Sequence, residues 1–389
     1  MRSPGFHLVL VRRNDRLLLE QTRTAPAERG GALIALSHIG VCGTDLQILN
    51  GTRPDTARIL GHEGIGVIVG AGRGAALGKG DRVVFNPVAE LCDGRLLGHN
   101  VEGLFQEYIS VSARAIAHGL VLPAQNFTLS ACGALVEPLG AVVYAHELIS
   151  RVTHPLRTAL VFGAGPVGIL AAVFLRTRGV RVFVAHRSPI RLATLARLKL
   201  IPENEVFLVS EDLSARVLAE ANRCGIDAAL ICTSRNGASD ALRQATQIVR
   251  SGGCIDLITN YPEHTPAPLG LSNDALRAVR AANVCGIPKE GAYHQVNLPS
   301  GQLTLTGHRG TSADHLKQAM HELRQRGERY VQLITHSLSL SEAAGAIQTL
   351  ASGERSLAGR DCIKAVIDLT TPSMRSWHPA WPSEPTQFE

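Results

Sequence analysis

Aromatic residues make up only 4% of the 389 positions, and lysine and arginine form no block: the 39 basic side chains are scattered, as at Arg12, Arg13, Arg23, Arg187, Arg191 and Arg250. Without a basic stripe interleaved with aromatics there is neither a phosphate track nor a stacking surface, which argues against nucleic acid as a partner. The excess of base over acid, 39 − 33 = +6, is mild and suits a small anionic ligand equally well. Close cysteine pairs are also lacking. The eight cysteines (Cys42, Cys92, Cys132, Cys224, Cys232, Cys254, Cys285 and Cys362) stand apart, so neither a zinc ribbon nor a disulfide scaffold is expected, and a reducing cytoplasm is the expected setting. Long apolar runs are missing too. The N-terminal run meets Arg12 and Arg13, and the longest, ALVFGAGPVGILAAVFL at 159–175, is too short to span a bilayer and carries glycines in its middle. No membrane association is expected, and no internal repeat is visible.

What is present divides in two, and the length suffices for two domains each with its own core. Residues 1–148 read as short alternating or β-branched runs (FHLVLVRR, GALIALSHIG, GIGVIVGAG, DRVVFNP, FQEYISV) separated by Gly, Pro, Asn and Asp, which predicts a β-rich domain. From about Arg157 apolar strands alternate with helical stretches, as in TALVFGAG, GPVGILAAVFLRTRG, VRVFVAH and SPIRLATLARLKL. That alternation predicts an α/β fold with a doubly wound parallel sheet. Residues 260–295 show no clear period and read as a long excursion. The tail, 370–389, is proline-rich with two tryptophans.

The glycines of VFGAGPVGIL explain the long apolar run. Gly163, Gly165 and Gly168 have the G-x-G-x-x-G spacing, follow a strand ending at Phe162 and open a helix with Pro166 and Val167. In that context the first glycine turns the chain, the second admits a pyrophosphate to the backbone, and the third lets helix and strand pack closely. The second strand, VRVFVAH, ends in Ala185, His186 and Arg187, where an NAD-binding site carries an acid for the ribose hydroxyls. With that acid missing and His186, Arg187, Ser188 and Arg191 in its place, NADP(H) is favoured over NAD(H). The alternative is that these arginines form only a solvated helix start.

VCGTDLQILNGTRPDTARILGHEG at 41–64 places Cys42 and His62, one soft and one borderline ligand, among glycines. A catalytic zinc needs a third donor. Glu137, in the apolar CGALVEPLGAVVYA, is the candidate; its alternative role is an acid favoured at a helix N-terminus.

Taken in order, GVCGTDLQILNG, LGHEGIGVIVGAG, FQEYISV, VEPLGAVVYA, VFGAGPVGIL and LITHSLSLSEAAGAI with KAVI resemble the zinc-dependent medium-chain alcohol/polyol dehydrogenase family over roughly residues 30–368. CGTDLQILNG and VAHR resemble its NADP-using glucose dehydrogenase branch. The resemblance implies a GroES-like catalytic domain over 1–148 and 309–389 and a Rossmann coenzyme domain over 149–308. It implies one catalytic zinc held by Cys42, His62 and Glu137, with Glu63 an exchangeable fourth ligand or a neighbour of the metal. Asp45 would orient the histidine, and Thr44 would pass the substrate proton toward solvent. Asn86 and Glu107, by analogy with the glucose branch, would bind substrate hydroxyls; the alternatives are a turn residue before Pro87 and a structural acid. Relatives are usually homodimers or homotetramers joined through the coenzyme sheet, which makes QLTLTGH the expected pairing strand.

The chain departs from the family at NPVAELCDGRLLGHNVEG, which is short and carries only Cys92, so the structural zinc of many relatives is expected to be absent. The expected activity is zinc-dependent hydride transfer between NADP(H) and a small-molecule secondary alcohol or ketone, with sugars, cyclitols or polyols leading. The alternatives are an amino-alcohol dehydrogenase, a metal-free quinone or enone reductase, and a non-catalytic NADP-binding protein. Neither substrate nor direction is legible.

Overall fold

The computed structural model describes residues 5–88, 94–128, 130–221, 224–259, 261 and 270–370. Cys92, the tail from 371 onward and part of the 260–295 excursion lie outside the described residues.

The chain begins with a hairpin, β1 (Phe6–Arg13) and β2 (Arg16–Arg23). There follow β3 (Ala32–Gly40), α1 (Gly43–Leu49), β4 (Glu63–Ala71), β5 (Arg82–Phe85), β6 (Tyr108–Val111), α2 (Ala113–Ala117) and β7 (Val121–Pro123). Then α3 (Val136–Val152) leads into the alternating part. It comprises β8 (Thr158–Phe162), α4 (Pro166–Thr177), β9 (Arg181–His186), α5 (Pro189–Leu198), β10 (Val206–Leu208), α6 (Leu213–Glu220), β11 (Ile226–Ile231), α7 (Arg235–Ile248) and β12 (Val249–Asp256). Next come α8 (Asn273–Ala281), a small hairpin of β13 (Asn283–Val284) and β14 (Ile287–Pro288), β15 (His294–Leu298), β16 (Gly301–Thr306) and α9 (Ala313–Val331). The chain closes with β17 (Ile334–Leu338), α10 (Leu340–Ala351), β18 (Ser356–Leu357), β19 (Arg360–Asp361) and β20 (Lys364–Asp368).

Two compact units result. One takes the residues up to Leu135 and those from Ile334 onward; the other runs Val136–Leu333. The boundaries read from the sequence, at 148/149 and 308/309, differ from these because α3 and α9 pack on each other and on α4, which draws both into the second unit.

In the first unit a seven-stranded sheet runs β17-β20-β3-β4-β5-β7, with β6 beside β3. Leu36, Ile39, Ile48, Phe85, Phe105 and Ile367 lie in its core. In the second unit the order is β10-β9-β8-β11-β12-β16-β15, parallel except for β15. Renumbered within the unit, the six parallel strands follow the 3-2-1-4-5-6 order of dinucleotide-binding sheets. Its inner strands are covered on both faces, as in Ile226–Ile231, where every residue is buried.

Three expectations change. The excursion 260–295 contains α8, the β13–β14 hairpin and the start of β15, pieces too short to show a period. β15 pairs antiparallel along the outer side of β16, so the QLTLTGH strand expected to pair between subunits is interior to the sheet. No segment long enough to span a bilayer was expected, yet the helical stretch Ala131–Val152 is long and apolar enough to cross a membrane by length and composition, and 72% of its most apolar window is buried. Within it α3 packs Leu139, Val142, Val143 and Leu148 into the second unit's core. No disulfide joins the seven described cysteines.

Candidate functional site

Three adjacent strand ends assemble the first cluster. Gly40, the last residue of β3, is paired with Glu63 at the start of β4 on one side and with Val366 of β20 on the other. The chain passes directly from Gly40 into Cys42, which caps α1, while His62 immediately precedes β4. Ligand atoms of Cys42, His62 and Glu63 therefore all lie within 4.8 Å of one another. Cys42 is half-buried, and His62 and Glu63 are buried.

Asp45 holds this arrangement from beneath. It is fully buried; its Oδ2 accepts the backbone N–H of Cys42 at 2.8 Å and its Oδ1 that of Gly61 at 3.0 Å, so one carboxylate ties the cysteine segment to the histidine segment. Such charge-assisted bonds contribute about 1.5–3 kcal/mol each. Oδ1 also lies 3.5 Å from His62 Nδ1, and Thr44 Oγ1 lies 3.4 Å from Nε2. Burial pushes the Asp45 carboxyl upward, but His62 and the two backbone N–H groups outweigh it and hold it below the usual aspartate range. For His62, burial opposes the cation, yet Asp45 and then Cys42 raise it well above an ordinary histidine.

Sequence reasoning missed two members of this environment. Lys364, first residue of β20, is buried beside Glu63: its Nζ contacts Glu63 Oε2 and donates to Val41 O at 2.9 Å. A Cβ on Gly40 would collide with the Glu63 carboxylate and lie 3.0 Å from Lys364 Nζ, so glycine is needed where the pair crosses the backbone. The signal was a lone lysine opening the apolar run of CIKAVIDL. His99 stacks at a tilt on His62, ring centroids 4.8 Å apart, and its Nδ1 donates to Leu97 O at 2.9 Å.

The second cluster is the glycine loop. Gly163 has φ +110°, and a Cβ there would meet the Cys232 carbonyl; one on Gly168 would collide with the carbonyl of Gly163. A Cβ on Gly165 would meet nothing within 4 Å, so the middle glycine faces open space at the N-cap of α4, with Pro166 and Val167 in its first turn. Both backbone groups of Ala164 are held: its N–H donates to His186 Nδ1 at 3.1 Å, and its carbonyl accepts from Arg191 Nη1 at 3.1 Å.

The four residues read from the end of the second strand thus separate. Arg191, only 6% exposed, braces the loop from below, as does His186. Ser188 caps α5 by accepting the N–H of Arg191 at 3.3 Å. Arg187 is exposed, with its guanidinium beside Gly237 in the first turn of α7.

The remaining expectations fall on quieter positions. Asn86 is fully buried, and its Oδ1 accepts from Val88 N–H at 3.3 Å, a turn-closing role. Glu107 is buried, and its Oε2 accepts from Leu8 N–H at 2.7 Å, anchoring the N-terminal strand. Glu137 sits half-buried in the first turn of α3, on the second unit.

Comparison with known proteins places these clusters in context. Residues 28–123 match the alcohol dehydrogenase GroES-like domain. The L-galactonate-5-dehydrogenase of Escherichia coli is 31% identical over 268 residues, covering 64% of this chain and 74% of that protein. The glucose 1-dehydrogenase of Thermoproteus tenax is 33% identical over 180 residues, 41% of this chain and 51% of that one. A likeness of fold extends to the crystal structure of an alcohol dehydrogenase from Thermotoga maritima, with TM-score 0.72 and 21% identity over 93% of this chain and 99% of that chain.

Proposed function

Since the chain belongs to the zinc-type medium-chain alcohol and polyol dehydrogenases, we propose that it is an oxidoreductase moving a hydride between a nicotinamide coenzyme and a secondary alcohol or ketone. A polyhydroxylated substrate, such as a sugar, cyclitol or polyol, is the class we propose, supported by the galactonate and glucose relatives.

The observation that carries the reading is the convergence of Cys42, His62 and Glu63. A thiol, an imidazole and a carboxylate within 4.8 Å of one another make a donor set that suits a divalent d¹⁰ ion. These three would hold zinc, which when bound supplies Lewis acidity toward a substrate oxygen. Asp45, facing Nδ1, keeps the ring proton there and leaves Nε2 as the donor. The Thr44 hydroxyl, beside Nε2, accepts the substrate's hydroxyl proton and passes its own outward. Lys364 balances the Glu63 charge when the carboxylate is turned inward.

On the other unit, Gly165 leaves the backbone open to a pyrophosphate, and the first N–H groups of α4 supply donors for it. The coenzyme supplies the hydride acceptor or donor. We read NADP(H) as preferred over NAD(H), on the missing acid after β9 and on Arg187, the exposed cation among the residues there.

The test is metal analysis of protein purified without chelators, with a screen of NADP⁺ and NAD⁺ over sugars, sugar acids, cyclitols and amino alcohols. About one zinc per chain, and loss of both zinc and turnover in Cys42→Ala with NADP(H) binding retained, is the expected result. Metal-free protein with undiminished turnover would refute it.

A further inference from the structure

The β1–β2 hairpin is a two-stranded sheet, so among the described residues no strand covers the outer edge of β2. Which backbone groups face that edge is read from β1. The N–H groups of Leu8, Leu10 and Arg12 turn away from β2, to Glu107 Oε2, Phe105 O and Arg58 O. Their register partners Gln21, Leu19 and Leu17 therefore turn their own backbone groups away from β1, and Arg23, opposite Phe6, continues the series. The Leu17 N–H is taken by Gln348 Oε1 at 3.1 Å. Those of Leu19, Gln21 and Arg23, and the carbonyls of the same residues, have no hydrogen-bond partner among the described residues.

Apolar side chains gather on the same strands. Phe6, Leu18 and Leu19 are all exposed. Phe6 and Leu19 share one face of the hairpin with Leu8, which is partly buried, and Leu18 lies on the other. Proteins guard such an edge with lysine, proline, a bulge or a covering element, or use it to pair with another chain. β2 contains neither lysine nor proline, and its pairing with β1 has no register shift.

The edge is complementary to itself. In an antiparallel pair about a twofold axis at Gln21, Leu19 of each copy faces Arg23 of the other and Gln21 faces its own copy. Every N–H and carbonyl left open on those residues is then paired. Like charges are kept apart, because Glu20, already tied to Arg13 at 3.0 Å, faces Thr22. The neighbouring registers fail. An axis at Glu20 sets that carboxylate against its copy. An axis at Leu19 brings the second chain onto Leu17, where Gln348 occupies the edge. An axis at Thr22 sets Leu19 against Ala25, beyond the end of β2.

We propose that β2 joins two copies of the chain edge to edge in the register centred on Gln21, making one antiparallel sheet in the order β1-β2-β2-β1. The Arg23 stem then lies between Phe6 of its own copy and Leu19 of the other. The contact uses the first unit alone and does not depend on the metal or coenzyme assignments.

Sedimentation velocity of the full-length protein over a micromolar concentration series tests it, and self-association is expected. Gln21→Pro removes an N–H that the hairpin does not use, so β1 and β2 stay paired while the edge is blocked, and association should weaken at least about tenfold. Leu19→Lys, which sets an ammonium against Arg23 of the other copy, should do the same. Circular dichroism checks the folding of each. Oxidation reads the register: Glu20→Cys mixed with Thr22→Cys should give a disulfide-linked dimer, mapped to those positions by mass spectrometry, and Glu20→Cys alone should not. A wild type that stays monomeric, or association undiminished in either folded variant, would overturn the proposal. Glu20→Cys linking to its own copy would overturn the register on which the proposal rests. Association that appears only after removal of residues 371–389 would make the chain's own tail the occupant of the edge, and would overturn it too.

Discussion

Replacing Lys364 with methionine isolates the electrostatic support of the metal-donor cluster. The two side chains of the Lys364–Glu63 pair are 1% and 2% exposed, so solvent screens neither charge. Methionine keeps most of the lysine volume, which makes the cavity contribution small. The loss is then dominated by a carboxylate stranded in the interior, about 3–5 kcal/mol when one partner of a buried pair is removed. The bond from Nζ to Val41 O disappears as well, a further loss of about 1.5–3 kcal/mol at most, partly contained in the first figure. Lys364→Met/Glu63→Gln removes both charges and should recover most of that loss, because an apolar or neutral pair of similar volume is often tolerated as well as an ion pair. The assay is urea unfolding of zinc-free protein at neutral pH, followed by circular dichroism. A midpoint lowered on the order of 1 M is expected for the single variant, and much less for the double. Restoring zinc should raise the single variant's midpoint by more than the wild type's, because its Glu63 then meets a cation it otherwise lacks. A single variant within about 1 kcal/mol of wild type, or a double variant as unstable as the single, would refute the reasoning.

Arg187→Asp should shift coenzyme preference toward NAD(H), read as the ratio of NADPH to NADH dissociation constants by fluorescence; an unchanged ratio removes Arg187 from coenzyme selection. Arg191→Met should weaken both coenzymes by the same factor, about tenfold, since it loosens the Ala164 carbonyl rather than a ligand contact; a change confined to NADPH would show a direct phosphate contact instead. Burial pushes the fully buried Asp256 up to about 7, against the opposing effect of Arg280. The folded state therefore holds the Asp256 proton more tightly than the unfolded chain, and its stabilising contribution is present at low pH and lost as pH rises toward 7. Asp256→Asn should accordingly raise the melting temperature over wild type more at pH 8 than at pH 5, and the opposite order would contradict the assignment. Chelation should speed hydrogen exchange around Val41–Leu49 and Gly61–Ile65 while leaving β8 and β11 unaffected, with a stabilisation by zinc near 2.7 kcal/mol at a hundredfold excess over its dissociation constant; uniform loss of protection would place the metal's effect elsewhere.

Much of the fold was legible because the two periodicities differ so sharply. Covered parallel strands such as TALVF read as continuous apolar runs, and the glycine spacing marks where the first of them turns into a helix. The Cys42–His62 pairing was legible for another reason: few residue types have the chemistry, and the two are close in sequence. What remained hidden depends on partners distant along the chain. Lys364 lies 301 residues from Glu63, and only the insertion of β20 beside β3 brings them together. Arg191 reads as a donor to the coenzyme phosphate, or else as part of a solvated helix start, yet its guanidinium folds back beneath the glycine loop. Glu107 and Asn86 each accept a backbone N–H on one side-chain oxygen, Glu107 from the distant Leu8 and Asn86 from Val88 two residues on, and only the second of these is legible as a local turn.

The first cluster also explains why its charges are arranged as they are. Cys42, Asp45 and Glu63 are three acids gathered at one set of strand ends, and the cations facing them in the structure are the Lys364 ammonium and the His62 ring. Asp45 is committed to two backbone N–H groups and cannot turn away without releasing both ligand segments. Lys364 meets Glu63 across the unsubstituted backbone of Gly40, and its charge is felt at Cys42 as well. The Cys42 sulfur shares these two cations with Asp45 and Glu63, so a thiolate there would set three negative groups against two positive ones. A divalent ion held by Cys42, His62 and Glu63 would offset that charge, and Glu63 would then face both the ion and Lys364. Lys364→Met is therefore expected to change metal affinity as well as stability, which titration of the metal-free variant with zinc would read.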